Sequence, residues 1–253
     1  MDLQLEGLNA IVTGGTKGIG RAIAETLAAE GVNVAFCARN AEGVKAAAAE
    51  LARHAGKVVG TAVDVGDGPA LKAWVGETAA AFGGIDIVVA NVSALAIAND
   101  EAGWQRGFEV DMMGTVRLIA AAMPWLEKSA HAAIVTIASV SGREIDFAAG
   151  PYGAFKAAIV HYTQGLAFHL AAKRIRANSV SPGNTYFEGG VWHQIEHGNP
   201  KLYADALALN PTGRMGTPQE MANAAVFLAS PVASFITGTN LLVDGALTRG
   251  VQL

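Results

Sequence analysis

Short apolar runs alternate along the chain with longer stretches in which apolar residues recur every three or four positions. The short runs are rich in Val and Ile and predict strands at 10–13, 32–37, 58–63, 85–90, 133–138, 175–180 and 241–243. The longer stretches predict helices at 18–30, 41–55, 67–82, 101–127, 151–172 and 218–229. Such alternation is typical of a parallel sheet with helices on both faces. We therefore expect an α/β fold, a doubly wound parallel sheet of about seven strands.

One segment interrupts this alternation. Residues 184–213 show no strong period, and they hold the aromatic side chains of Tyr186, Phe187, Trp192 and Tyr203. A long irregular insertion in a compact domain is usually a functional loop. No linker rich in Pro, Ser or charge divides the chain. The sequence thus predicts a single domain, 1–253, with a substrate loop or lid at about 184–213.

Composition narrows the class of protein. Hydrophobic residues make up 51% and charged residues 16%, against about 25% charged in an average soluble domain, which excludes disorder. The net charge of −4, without a block of like charges, argues against a nucleic-acid partner or a polybasic membrane surface. Cys37 is the single cysteine, so no intramolecular disulfide forms. The first residues lack the regions of a signal peptide and no apolar run is long enough to span a bilayer, so we expect a cytoplasmic protein.

A glycine-rich turn joins the first predicted strand to the first predicted helix. Gly14 permits a tight turn, Gly18 allows a pyrophosphate to approach the backbone, and Gly20 allows close packing of helix and strand. The free N–H groups at the helix start favour phosphates. The turn predicts a dinucleotide site, formed by Thr13-Gly14-Gly15-Thr16-Lys17-Gly18-Ile19-Gly20.

The end of the second strand indicates which dinucleotide binds. An acidic residue here would accept a hydrogen bond from the ribose 2′-hydroxyl of NAD, but this chain has Cys37-Ala38-Arg39-Asn40. The Arg39 guanidinium suits a 2′-phosphate, and Lys17 adds a second positive charge. NADP is favoured over NAD, with two solvated surface cations as the alternative interpretation.

Three residues form a candidate catalytic group. Tyr152 and Lys156 are four positions apart at the start of a predicted helix, so they share one face. Ser139 follows the fifth strand, at the sheet edge where cofactors bind. An ammonium group favours tyrosinate and a serine hydroxyl can hydrogen-bond a developing oxyanion. Alone, Tyr followed by Lys is also common on ordinary helices.

These motifs together resemble the short-chain dehydrogenase/reductase family, over essentially the whole chain. The resemblance also rests on Asp64-Val65, Asn178-Ser179-Val180-Ser181-Pro182-Gly183 and Val243-Asp244-Gly245. It implies a Rossmann-type fold in which Tyr152 is the general acid/base, Ser139 orients the carbonyl, and Lys156 holds the nicotinamide ribose and lowers the pKa of Tyr152. It further implies a dimer or tetramer built on the helices around 101–127 and 151–172, with Asp64 and Val65 at the adenine and Pro182 and Gly183 at the nicotinamide.

The chain departs from the family pattern in three places. Asn-Asn-Ala-Gly after the fourth strand reads Ala90-Asn91-Val92-Ser93, so one Asn remains, Asn91, with bulkier packing beside the adenosine. The Thr expected five residues after Pro182 is Phe187, which leaves Thr185 as a displaced substitute at the nicotinamide amide. The Asn of the family's catalytic tetrad is Asp111. An ionised Asp accepts hydrogen bonds but cannot donate them, and our hypothesis is that Asp111 still supports the proton-relay water.

His193-Gln194-Ile195-Glu196-His197 fits the H-x-x-E-H pattern of one class of zinc metalloprotease. Glycines and Pro200 bracket the match closely, and it lacks a third ligand, so we interpret these residues as part of the lid and expect no metal.

The sequence predicts an NADP(H)-dependent oxidoreductase that interconverts a ketone or aldehyde with its alcohol. The aromatic lid indicates a small, mainly apolar substrate. A catalytically impaired NADP(H)-binding sensor, prompted by Asp111, and an NAD-dependent alcohol dehydrogenase are the alternatives.

Overall fold

The structure, a computed structural model, describes residues 1–251. Seven strands form one sheet in the order β3-β2-β1-β4-β5-β6-β7, and every neighbouring pair is parallel. The predicted α/β fold with a doubly wound parallel sheet is confirmed, and each predicted strand lies within two residues of an observed one. The strands are β1 (Asn9–Thr13), β2 (Asn33–Ala38), β3 (Val58–Ala62), β4 (Ile87–Ala90), β5 (Ala133–Ile137), β6 (Arg176–Pro182) and β7 (Asn240–Val243).

Helices cover both faces of the sheet, because successive strand residues point to opposite sides and both sides are apolar. The first face packs against α1 (Gly18–Ala29), α2 (Ala41–Leu51) and α9 (Pro218–Ala229). The second face packs against α3 (Gly68–Phe82), α5 (Gly114–Leu126) and α6 (Pro151–Leu170). In β1, Val12 is buried on the first face and Ile11 on the second.

The helix predicted at 101–127 is not uniform. It begins as α4 (Glu101–Arg106), continues as a π-helical segment (Gly107–Met113) and ends as α5. The wider π turn shifts the phase of the apolar stripe, so Phe108 is 49% exposed while Ile119 is buried. Single π turns inside helices are frequent at functional sites, and this one carries Asp111.

Residues 184–213 are more regular than the sequence predicts. They contain two short helices, α7 (Val191–Gly198) and α8 (Pro200–Ala208). The Asn199 side chain caps α8, which begins at Pro200. Each helix makes about two turns, too few for a clear period. Trp192, Ala206 and Met215 form a small core of their own under them.

Short 3-10 turns lie at Val140–Gly142, Ala171–Lys173 and Pro231–Ala233. Within residues 1–251, no helix is both long enough and apolar enough to cross a membrane.

Candidate active site

The candidate residues meet at one edge of the sheet. Each of the first six strands ends there, because all run parallel, and a predicted site residue follows each end. They are the glycine turn after β1, Arg39 after β2, Asp64 after β3, Asn91 after β4, Ser139 after β5 and Gly183 after β6. In open α/β sheets, ligands bind at this edge.

The glycine turn is held rigidly against β2. The Cys37 carbonyl accepts hydrogen bonds from the N–H groups of Gly14 (2.8 Å) and Gly15 (3.2 Å). The Cys37 thiol is fully buried beneath the turn, and burial raises its pKa to about 12. The turn is thus a fixed platform rather than a mobile loop.

The turn needs glycine for two reasons: a positive φ at some positions and close packing of the backbone at another. Gly14 and Gly18 have φ of +75° and +57°, a region that favours residues without Cβ. At Gly20 a Cβ would lie 2.3 Å from the Gly14 carbonyl oxygen, so the helix could not pack this closely. α1 begins at Gly18 after Lys17, whose side chain does not cap the helix. The first N–H groups of α1 therefore stay available to an anion.

The Phe187 side chain covers one side of this turn. A Cβ added to Gly18 would lie 2.5 Å from the Phe187 ring, and one added to Gly190 would lie 2.8 Å from it. The ring is therefore packed between the phosphate turn and the start of α7. The family pattern has Thr at this position. The sequence alone does not show that the Phe187 ring contacts the glycine turn.

Two exposed cations lie at the glycine turn and at the end of β2. Arg39 and Lys17 are exposed next to the turn, and neither forms an ion pair within residues 1–251. Asp64 is exposed and accepts a hydrogen bond from the Gly66 N–H (2.9 Å), while Val65 is buried beside it. Asn91 donates to the Thr13 carbonyl (3.0 Å), so its side chain braces the turn.

Tyr152 and Lys156 lie on one face of α6. Lys156 is fully buried, and its ammonium donates to the Ile137 carbonyl (2.9 Å) at the end of β5. The Nζ atom lies 5.6 Å from the centre of the Tyr152 ring. Gly153 lets α6 pack closely on the 3-10 turn after β5, since a Cβ at this position would lie 2.7 Å from the Ser141 carbonyl oxygen.

Asp111 lies beside Lys156, fully buried. Its Oδ1 is 3.8 Å from Lys156 Nζ, and its Oδ2 accepts the N–H of Ala94 (2.8 Å). Oδ1 has no hydrogen-bond partner within the described chain. The structure thus places Asp111 beside the lysine, and its support of a proton-relay water stays a prediction.

Burial shifts the pKa values of both Lys156 and Tyr152. Desolvation lowers the pKa of Lys156, and the Asp111 carboxylate opposes this by raising it. Burial raises the pKa of Tyr152 to about 12, Ser139 lowers it, and the charges of Asp111 and Asp146 raise it. The net direction is opposite to the lowering that the family resemblance implies. Tyr152 is therefore protonated at neutral pH in the protein alone.

Ser139 has a polar neighbourhood that no sequence motif revealed. Its Oγ accepts the N–H of Ser141 (3.1 Å) and lies 3.3 Å from Ser141 Oγ. Ser141 Oγ in turn donates to Asp146 Oδ2 (2.6 Å). Ser and Asp are ordinary loop residues, so nothing in their types marks this chain of hydrogen bonds.

The nicotinamide end is less regular. Pro182 is the last residue of β6, and a Cβ at Gly183 would lie 2.8 Å from Asp244. Thr185 Oγ1 donates to the Gly183 carbonyl (3.1 Å), and Thr185 pairs with Gly216 through the backbone. Its hydroxyl is engaged locally, so Thr185 is not a direct copy of the family Thr.

The H-x-x-E-H segment forms helix α7, although glycines and Pro200 closely bracket it. Glu196 accepts a hydrogen bond from the Tyr186 hydroxyl, and this contact raises the pKa of Tyr186 to about 12. His197 Nδ1 hydrogen-bonds the His193 carbonyl (2.8 Å). In the part of the chain that the structure describes, no three His, Cys, Asp or Glu side chains are placed to hold a metal ion.

Comparison with known proteins places this geometry in a family. The family model described as enoyl-(acyl carrier protein) reductase matches residues 14–248. Isoepoxydon dehydrogenase of Penicillium expansum is 40% identical over 253 residues, covering 98% of this chain and 97% of that protein. The chain is a short-chain dehydrogenase/reductase. As a member of that family it is an oxidoreductase.

Further relatives have the same length and fold as this short-chain dehydrogenase/reductase. The 3-oxoacyl-[acyl-carrier-protein] reductase of Escherichia coli is 35% identical, covering 97% of this chain and 99% of that protein. An NADPH-bound short-chain oxidoreductase of Pseudomonas aeruginosa, described as containing an atypical catalytic center, has a TM-score of 0.90. It is 30% identical and covers 96% of this chain and 98% of that one.

Proposed function

We propose that this short-chain dehydrogenase/reductase uses NADP(H) to interconvert a small ketone or aldehyde with its alcohol. The proposal rests above all on one observation: Ser139, Tyr152 and buried Lys156 converge at the sheet edge beside the glycine turn. In this interpretation the chain is one catalytic domain, and residues 184–213 are its lid.

The cofactor-binding roles follow from the fit of the residues. The N–H groups at the start of α1 and the turn Gly14–Gly20 would hold the pyrophosphate, with Thr16 and Ile19 as part of the turn. Arg39 and Lys17 would bind the 2′-phosphate, Asp64 and Val65 the adenine. When bound, the cofactor supplies a hydride to the carbonyl carbon. Family membership and the NADPH in the Pseudomonas relative support this assignment.

The protein's own groups handle the oxygen of the substrate. Ser139 donates a hydrogen bond to the carbonyl oxygen, and Tyr152 donates the proton that converts the developing alkoxide to an alcohol. Burial raises the pKa of Tyr152 to about 12, so the phenol carries its proton before this step. The phenolate left on Tyr152 then takes a proton from solvent, through a water that Asp111 Oδ1 and the Lys156 ammonium would hold between them.

A matched pair of measurements tests the function. Purified protein is screened for consumption of NADPH with ketones, aldehydes, acyl thioesters and quinones, and Tyr152→Phe is assayed on the best substrate. We expect turnover that the variant loses by at least about a hundredfold. Tight NADPH binding without turnover of any carbonyl would instead support the sensor.

Two further features concern the partners of the enzyme. Phe147 and Trp192 pack edge to face at 5.5 Å next to Asp146, which supports a small substrate enclosed partly by aromatic rings. Trp104 is 41% exposed and packs edge to face against Phe155, with ring centroids 5.7 Å apart, on the helices 101–127 and 151–172. An exposed aromatic face on these helices supports the homo-oligomer, which light scattering tests. The cytoplasmic location stays a prediction.

A further inference from the structure

The hydrogen bonds behind Ser139 have a fixed direction. The Asp146 carboxylate can only accept, so the Ser141 hydroxyl must donate its single proton to it, over 2.6 Å. Ser141 Oγ is then left with lone pairs facing Ser139, 3.3 Å away. The Ser141 N–H occupies one lone pair of Ser139 Oγ as well (3.1 Å). Ser139 is therefore surrounded by groups that make it a donor.

Asp146 itself is held in place by the loop. Its second oxygen, Oδ1, accepts the N–H of Ala148 (2.8 Å), and Ala148 is buried. The Gly153 backbone donates to the Ala148 carbonyl (3.0 Å), which ties the loop to the first turn of α6. The carboxylate is thus anchored to the same helix turn that carries Tyr152.

We propose that Asp146 is a positioning residue which, through Ser141, fixes the Ser139 hydroxyl as a hydrogen-bond donor to the substrate carbonyl. The proposal rests on the carbonyl reduction proposed above. The contact from Ser139 to Ser141 is long for a hydroxyl pair, so a carbonyl oxygen can replace it at small cost. The Ser139 proton is then held for the substrate rather than committed to the protein.

A second effect comes from the charge of Asp146 rather than from its hydrogen bond. The carboxylate raises the pKa of Tyr152, together with Asp111 and the larger contribution of burial. Positioning and charge can be separated, because Ser141→Ala breaks the hydrogen-bonded chain and leaves the carboxylate in place.

The test compares Ser141→Ala, Ser141→Thr, Asp146→Asn and the control Glu144→Gln. Glu144 lies on the same loop, and no hydrogen bond joins it to Ser141 within residues 1–251. For each variant we measure kcat and KM on the best carbonyl substrate, the pH profile of kcat, NADPH affinity and the melting temperature.

We expect Ser141→Ala and Asp146→Asn to lower kcat about tenfold to a hundredfold, less than the loss of an oxyanion donor itself. NADPH affinity and melting temperature should stay near the wild-type values, and Ser141→Thr should restore most of kcat because it keeps the hydroxyl. The double variant, with Ser141→Ala and Asp146→Asn together, should have a kcat no lower than that of the poorer single variant. Both substitutions break the same chain of hydrogen bonds. Asp146→Asn alone should move the alkaline limb of the profile to lower pH.

Other results would overturn the proposal. A kcat within about twofold of wild type in both variants, a loss shared by Glu144→Gln, or no rescue by Ser141→Thr would each do so. Failure of the proposed function is distinguishable, because it shows in wild type and Tyr152→Phe: either no carbonyl is turned over, or Tyr152→Phe is as active as wild type.

Discussion

Replacing Asp111 with Asn tests whether the buried carboxylate and ammonium form an ion pair that stabilises the fold. The two groups are 3.8 Å apart, and each side chain is at most 3% exposed. With an effective dielectric constant of about 20, unit charges at this distance attract by about 4 kcal/mol. Asn keeps the shape and can still accept from the Ala94 N–H, so the variant loses chiefly the charge.

The expected loss is smaller than the full attraction. Removing one partner of a buried pair costs about 3–5 kcal/mol, but Lys156 can limit the cost by releasing its proton. We therefore expect the free energy of unfolding of Asp111→Asn to fall by about 2–4 kcal/mol at neutral pH. Urea titrations at a fixed protein concentration measure it, because oligomerisation contributes to apparent stability.

The pH dependence of the free energy of unfolding gives a second, independent test of the ion pair. Burial lowers the pKa of Lys156 from 10.5 and Asp111 raises it, so the variant has the lower folded pKa. Between that pKa and the unfolded value the unfolded chain binds more protons, so the stability of the variant rises with pH. The deficit relative to wild type should be largest below the lowered pKa and should shrink as the pH increases.

Glu127→Gln is the matched control. It makes the same change of carboxylate to amide in the exposed pair between Glu127 and Lys173, where a loss below about 1 kcal/mol is expected. If Asp111→Asn were as stable as this control at every pH, the buried ion pair would be refuted. A rise of turnover by orders of magnitude in Asp111→Asn would refute its role in the proton relay and identify an impaired enzyme.

Three further substitutions test the cofactor site. Arg39→Ala should weaken NADPH binding about tenfold to a hundredfold and leave NADH binding unchanged, as measured by fluorescence titration; equal losses would contradict a 2′-phosphate site. Phe187→Ala should accelerate cofactor association in stopped-flow measurements, because the ring lies against Gly18; an unchanged rate would show that the ring does not limit access. Gly20→Ala should abolish cofactor binding because its Cβ would meet backbone at 2.3 Å, whereas Gly76→Ala, with nothing within 4 Å, should bind normally.

The sequence predicts those features that have a regular apolar period or a fixed spacing of residues. Buried parallel strands are apolar on both faces, so their runs stand out, and all seven were located. The glycine turn was predictable because sterics permit little else at Gly14 and Gly20. Tyr152 and Lys156 were predictable because one helical turn separates them.

Other features depend on three-dimensional contacts that leave no local pattern. Ser141 and Asp146 are ordinary loop residues, and only the fold brings them behind Ser139. The π-helical segment has no propensity signal, so the sequence predicts one uniform helix at 101–127. The pKa of Tyr152 depends on the burial of the whole site, which outweighs any single neighbour named from the sequence.

The alkylation rate of the buried Cys37 thiol can report on local opening beside the glycine turn. Alkylating reagents attack the thiolate, and a thiol with a pKa near 12 beneath the turn offers almost none. Cys37 belongs to the buried core of the second sheet face, so labelling in native buffer must wait for that core to open beside the turn. The labelling rate therefore measures how often this local opening occurs. With a single cysteine in 253 residues, the label has one origin. A bound dinucleotide that keeps this region closed should lower the labelling rate in proportion to the fraction of protein that has cofactor bound.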